Sequence, residues 1–184
     1  MNRRQATKAL LKGCTSIGET TTPWGTEVVV THYWIVPKVW LDEATLAHAR
    51  IDLTDLGDIP AISDSFFEKH MALTSDHAEL AWPMHLDVGT YAMGLALHNP
   101  DHPSQTMYVY DVHGEVAAVN AAWFDALDDL SRHAGCDDLF MWSKGPVAPI
   151  IYADADENPV AVLMSIRPSS GVAAGLAEFV DGLS

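Results

Sequence analysis

Nine histidines, two cysteines and 25 carboxylates give this chain many side chains able to bind a metal, move a proton or attack a carbonyl. Their spacing argues against each of these. His98 and His102 stand at the interval that puts two imidazoles on one helix face, but Pro100 and Pro103 break that helix. His70 and His77 are seven apart, and no His-Glu-x-x-His occurs. Asp154-Ala155-Asp156-Glu157-Asn158 opens like a calcium loop. Pro159 then stands where such a loop needs glycine, and Ser165 where it needs a bidentate Glu, so an acidic hairpin turn is expected. His133 precedes Cys136 by three residues at an expected helix end, a spacing that does not itself activate a thiol. Neither a glycine-rich phosphate loop nor a Gly-x-Ser-x-Gly elbow is present. The expectation is a protein without catalysis, metal or cofactor.

Charge is the next constraint. The formal net charge is −15, yet Arg3, Arg4, Lys8 and Lys12 place four of the ten basic residues in the first dozen positions, which hold no acid. The rest of the chain sets six basic against 25 acidic side chains, a balance of −19. Such a body repels phosphate backbones at long range, so nucleic-acid contact is confined to a local basic strip. With 48% hydrophobic residues in 184, the chain can bury a sizeable core without disulfides. Its apolar runs are too short to span a bilayer, and the N-terminus has no apolar signal core. Cys14 and Cys136 read as free thiols in a reducing cytoplasm.

The elements that must position these groups follow from periodicity. Residues 3–13 predict a helix that presents Arg4, Lys8 and Lys12 on one face and stops at Gly13. Residues 20–25 predict a loop, residues 27–36 one strand, and Val39-Trp40-Leu41 the start of another. Asp42 to Arg50 fits a helical turn or a hairpin. A helix follows from Asp64 to His70, then two short strands between Glu79 and Leu97 and a loop over Asn99 to Ser104. Met107 to Val112 and Val116 to Val119 form strands about a turn at His113-Gly114, and Asn120 caps the next helix. On that helix Trp123, Phe124, Leu127 and Leu130 make one stripe. Helix-then-strands thus occurs near residues 3, 63 and 120, dividing the chain into units at 1–60, 61–112 and 113–167. A tail, 168–184, carries Val172, Leu176, Phe179 and Leu183 on one helical stripe.

The third unit has a further likeness. A strand runs into Val119-Asn120, and a short helix carries Trp123-Phe124 and Asp125-Ala126-Leu127. Pro149-Ile150-Ile151 enters a strand, and Ala161 to Arg167 closes the unit. This order resembles the C-terminal half-domain of the bacterial β sliding clamp. That family opens a helix with Asn-x-x-aromatic-Leu-x-Asp-Ala-Leu, starts a strand with Pro-hydrophobic-hydrophobic and ends on Met-Pro-(Met/Val)-Arg. The likeness spans residues 114–167. It implies an α+β, clamp-like fold of repeated helix-plus-antiparallel-strand units, with helices packed on one face of the sheets. The implied function is that of a non-enzymatic processivity factor tethering a polymerase to DNA, as a homo-oligomeric ring in the cytoplasm.

Carried over by position, Val162, Met164, Ile166 and Arg167 match the cleft that takes a hydrophobic peptide from a polymerase or other partner. Arg3, Arg4, Lys8 and Lys12 are the segment suited to face double-stranded DNA. Three departures stand out. Ser165 replaces the family's Pro, Asp128 and Asp129 join Asp125 on the helix expected near phosphates, and the chain is shorter than one clamp subunit. Two other readings fit the composition. One is an acidic interaction module or DNA mimic that regulates a DNA-handling partner. The other is a small hydrolase using His, Asp or Cys136, which a zinc site or a low thiol pKa would mark.

Overall fold

The computed structural model describes residues 1–14, 17–49, 64–80, 95–99, 102–112 and 115–167. The chain opens with α1 (Arg3–Leu11), started by a reciprocal capping box between Asn2 and Gln5 and ended before Gly13, whose φ of +86° suits glycine. Ala6, Thr7, Leu10 and Leu11 are its buried face. β1 (Gly18–Thr21) and β2 (Glu27–Val30) form a hairpin, so part of the expected loop at 20–25 is strand. β3 (Trp34–Pro37) turns back on β2.

The run 27–36 is therefore two strands, not one. The cause is Thr31, whose hydroxyl accepts hydrogen bonds from the Tyr33 and Trp34 amides at 3.1 Å each and closes a turn. Nor does a strand begin at Val39. Lys38–Trp40 is a 3-10 turn, followed by α2 (Glu43–His48) behind an Asp42 cap that accepts from Thr45 N at 2.8 Å. Local propensity favoured extension there, but contacts from α1 override it. The Arg3 guanidinium donates to the carbonyls of Val39, Trp40 and Leu41, and the Asp42 amide donates to Thr7 Oγ1 at 2.9 Å.

After α3 (Asp64–Met71) come β4 (Ala78–Leu80), β5 (Leu95–Asn99), β6 (His102–Val112) and β7 (Glu115–Asn120). β6 begins at His102, inside the segment expected to be a loop. The β5–β6 register shifts beside Asn99, and Pro103 falls in that irregular stretch, where a missing backbone N–H is tolerated. α4 (Ala121–His133) is capped by Asn120, whose Oδ1 accepts from the Ala122 and Trp123 amides. β8 (Phe140–Ser143), β9 (Ile150–Ala153) and β10 (Pro159–Leu163) complete the described strands. The expected acidic hairpin turn is present. Asp154 Oδ1 accepts from the Asp156 and Asn158 amides, and Glu157 takes a φ of +62°.

The strands make two antiparallel sheets. The larger has the order β1-β2-β3-β10-β9-β8-β4, and the smaller β5-β6-β7. At the centre of the larger sheet β3 pairs with β10, Ile35 opposite Val162 and Trp34 opposite Leu163. About that seam the order is symmetric: α1 leads into the meander β1-β2-β3, and α4 into the meander β8-β9-β10. The start of α1 lies against the end of α4, where the Met1 amine pairs with Asp129 and His133 Nε2 is 2.9 Å from the Met1 carbonyl. The two helices are therefore antiparallel neighbours.

One core joins these parts. Leu10, Phe124, Leu127 and Leu130 from the helices pack with Trp34, Val36, Tyr152 and Leu163 of the large sheet and with Tyr110 and Val119 of the small one. Each fully buried large side chain of this kind contributes roughly 1.5–3 kcal/mol. α3 occupies the opposite face, where Phe67 and Met71 cover Val28, Val30, Ile35 and Val162.

Helices thus lie on both faces of the large sheet, not on one. The middle unit is also not a third copy of the pattern: its β4 joins β8, its β5 and β6 join β7 of the third unit, and its helix is on the far face. The segments 1–60, 61–112 and 113–167 therefore share sheets and do not close on themselves. Residues 81–94 of the two strands expected between Glu79 and Leu97, the turn at 113–114 and the tail 168–184 lie outside the described residues. Among the described residues no helix is long and apolar enough to cross a membrane.

Candidate nucleic-acid interface

α1 turns Arg4, Lys8 and Lys12 outward together, at intervals of about 6 Å along its axis. The three side chains line one wall of an open groove of 690 Å³ between α1 and α2, with Asp42, Thr45 and His48 on the other wall. Among the described residues none of the three cations has a hydrogen-bond or ion-pair partner. The Asp42 carboxyl is held below its ordinary value, chiefly by the Thr45 hydroxyl and amide and further by the charges of Arg4 and Arg3. Asp42 thus faces the stripe as an ionised cap, and the lining still carries a cationic excess.

Arg3 does not share this face. Its guanidinium is taken up by three backbone carbonyls, so it positions the 38–41 turn, and its assignment as a DNA-facing residue is corrected. Carbonyls at the end of a turn need donors, and a planar five-donor fork supplies several at once.

The neighbouring helix α4 carries the acids that appeared incompatible with phosphate, and each is engaged within the fold. Asp125 Oδ1 accepts from the Tyr108 hydroxyl at 2.8 Å, Asp128 pairs with Arg132 one turn on, and Asp129 takes the N-terminal amine. Burial first, and then the Asp125 carboxylate, push the Tyr108 phenol up to about 12, so it stays a donor at neutral pH.

The second set of expected residues divides. Val162 is 1% exposed and lies under α3, so it cannot wall a peptide cleft. Ile166 packs with Met107, Val109 and Ala118 of the small sheet, and its amide donates to the Ala118 carbonyl at 2.7 Å. Met164 is half-buried, with its amide on the Tyr33 carbonyl at 2.8 Å, and Arg167 is exposed. These residues therefore serve separate packing sites, and Val162 and Ile166 are structural.

Tyr33 and Trp123 stack with ring centroids 4.7 Å apart and planes tilted by 34°, at the β2–β3 turn beside the first turn of α4. Tyr33 is 38% exposed, and His32 approaches it edge-on from solvent. Reading 27–36 as one strand hid this pair. The signal was Thr31 followed by two aromatics, a turn-former before side chains that prefer burial.

Among the described residues no three His, Cys, Asp or Glu side chains come together as a metal site. Burial pushes the Cys14 thiol up, away from reactive thiolate. No family model, curated protein or solved structure matches this chain.

Proposed function

We propose that this protein is a non-enzymatic, clamp-like nucleic-acid tether that holds a polymerase on DNA as a processivity factor. One observation carries the reading. Three cations without an ion-pair partner among the described residues line the outer face of α1 in a molecule of formal charge −15, and the neighbouring acids of α4 are internally satisfied. The doubled plan of helix plus three-stranded meander, joined at the β3–β10 seam, supports the clamp-like part of the reading. A chain with two such units must assemble with further copies to encircle a duplex. The partner peptide docks near Met164 and Arg167, the two members of the expected cleft that remain accessible.

The test is primer extension on a circular single-stranded template, with sedimentation alongside. Longer products in the presence of an oligomer are expected. A strict monomer that leaves product length unchanged rejects the proposal. The acidic body favours one other reading, a DNA mimic, which binds a basic DNA-handling protein and no DNA.

A further inference from the structure

Lys12, the last cation of the stripe, and the aromatic pair lie at the same end of α1. The Trp34 indole donates to the Leu10 carbonyl at 3.1 Å, so the turn carrying Tyr33 abuts the last turn of α1. Because α1 and α4 run antiparallel, the first turn of α4 with Trp123 lies at that end as well. Lys12 thus emerges at the end of α1 nearest a pair of partly exposed, mutually stacked rings.

Lone surface aromatics need no explanation. A cationic track that ends at an aromatic platform combines the two features that bind single strands: charge follows the backbone and rings stack on unpaired bases. Inside a duplex the bases already stack on one another and offer no free face to Tyr33.

We infer that the α1 face binds single-stranded nucleic acid, with phosphates on Arg4, Lys8 and Lys12 and a base stacked on the Tyr33–Trp123 pair. This rests on the reading of α1 as the nucleic-acid contact and sharpens it from duplex to strand.

The experiment is fluorescence anisotropy of the full chain with labelled oligothymidylate, oligouridylate and a duplex of equal length, over a range of salt. Single strands should bind about ten-fold tighter than duplex or better. The log–log salt slope should be near −2, about −0.7 for each of three phosphates. The oligouridylate arm separates RNA from DNA as the strand, and failure of both single strands overturns the inference. Tyr33→Leu, which keeps apolar cover over Trp123, should weaken single-strand binding about ten-fold and leave the salt slope unchanged. Lys8→Ala should reduce the slope by about 0.7.

Unchanged affinity of Tyr33→Leu at an unchanged unfolding midpoint overturns the inference, as does duplex bound as tightly as single strand. In the second case polymerase retention can still hold, so the tether reading survives. Strong single-strand binding without polymerase retention supports the inference and removes the tether.

Discussion

The indole N–H of Trp34 donates to the Leu10 carbonyl at 3.1 Å, with both side chains fully buried. This bond ties the last turn of α1 to the central seam of the large sheet, and so fixes the end of the helix where Lys12 emerges. Trp34→Phe removes the donor and part of the packed volume. A loss of about 2–3 kcal/mol is expected, read as a lower urea midpoint at unchanged m-value.

Arg3 and Lys8 stand five residues apart on one helix, yet the structure gives them different tasks. Arg3→Ala leaves the carbonyls of Val39, Trp40 and Leu41 without their donor and should cost about 1–3 kcal/mol of stability. Lys8 is exposed and has no ion-pair partner among the described residues, so Lys8→Ala should stay within about 0.5 kcal/mol of the parent. Paired denaturation curves for the two variants decide the point, and equal destabilisation contradicts the assignment.

Val162 separates a peptide cleft from a packed core. Val162→Ala under Phe67 and Met71 should lower stability by about 1–3 kcal/mol through the cavity it leaves. It should leave affinity for a Leu/Phe-bearing peptide unaltered. A calorimetric titration that shows weaker peptide binding at full stability reinstates Val162 as a binding residue.

Alkali should unfold the protein through its buried phenols. Tyr108 is raised to about 12 from an ordinary 10, chiefly by burial, and Tyr110 and Tyr152 are raised by burial as well. A raised phenol contributes stability that is complete below pH 10 and is lost as pH climbs through the folded value. The unfolded chain releases its protons first. Stability should therefore fall steadily from about pH 10 to pH 12, and Tyr108→Phe should make that fall shallower. Tyrosinate absorbance recorded with circular dichroism tests this, and ionisation of every tyrosine near pH 10 without unfolding contradicts it.

The β9–β10 turn holds Glu157 at a φ of +62°, where a side chain other than glycine or asparagine is disfavoured by roughly 1 kcal/mol. Glu157→Asn should relieve that cost and keep the Asp154 turn, raising the thermal midpoint by a few degrees. A lower midpoint shows that the Glu157 side chain makes a contribution the turn needs.

Local chemistry was legible in the sequence. Gly13 after the first helix, Asn120 before Trp123 and Phe124, and Asp154 to Asn158 each specify their structure within a few residues. The outward stripe of Arg4, Lys8 and Lys12 follows from helical periodicity alone. Tertiary contact decided the rest. Arg3 held Val39 to Leu41 in a turn although the residues favour a strand. The β3–β10 seam joins residues more than a hundred positions apart, and α3 covers the face that hides Val162. No sequence window contains both partners of such a contact, and their burial outweighs the fraction of a kcal/mol by which local preferences differ. The same holds at the candidate interface: residue type placed three cations on one helix, but only the folded chain set Tyr33 and Trp123 near that helix's end.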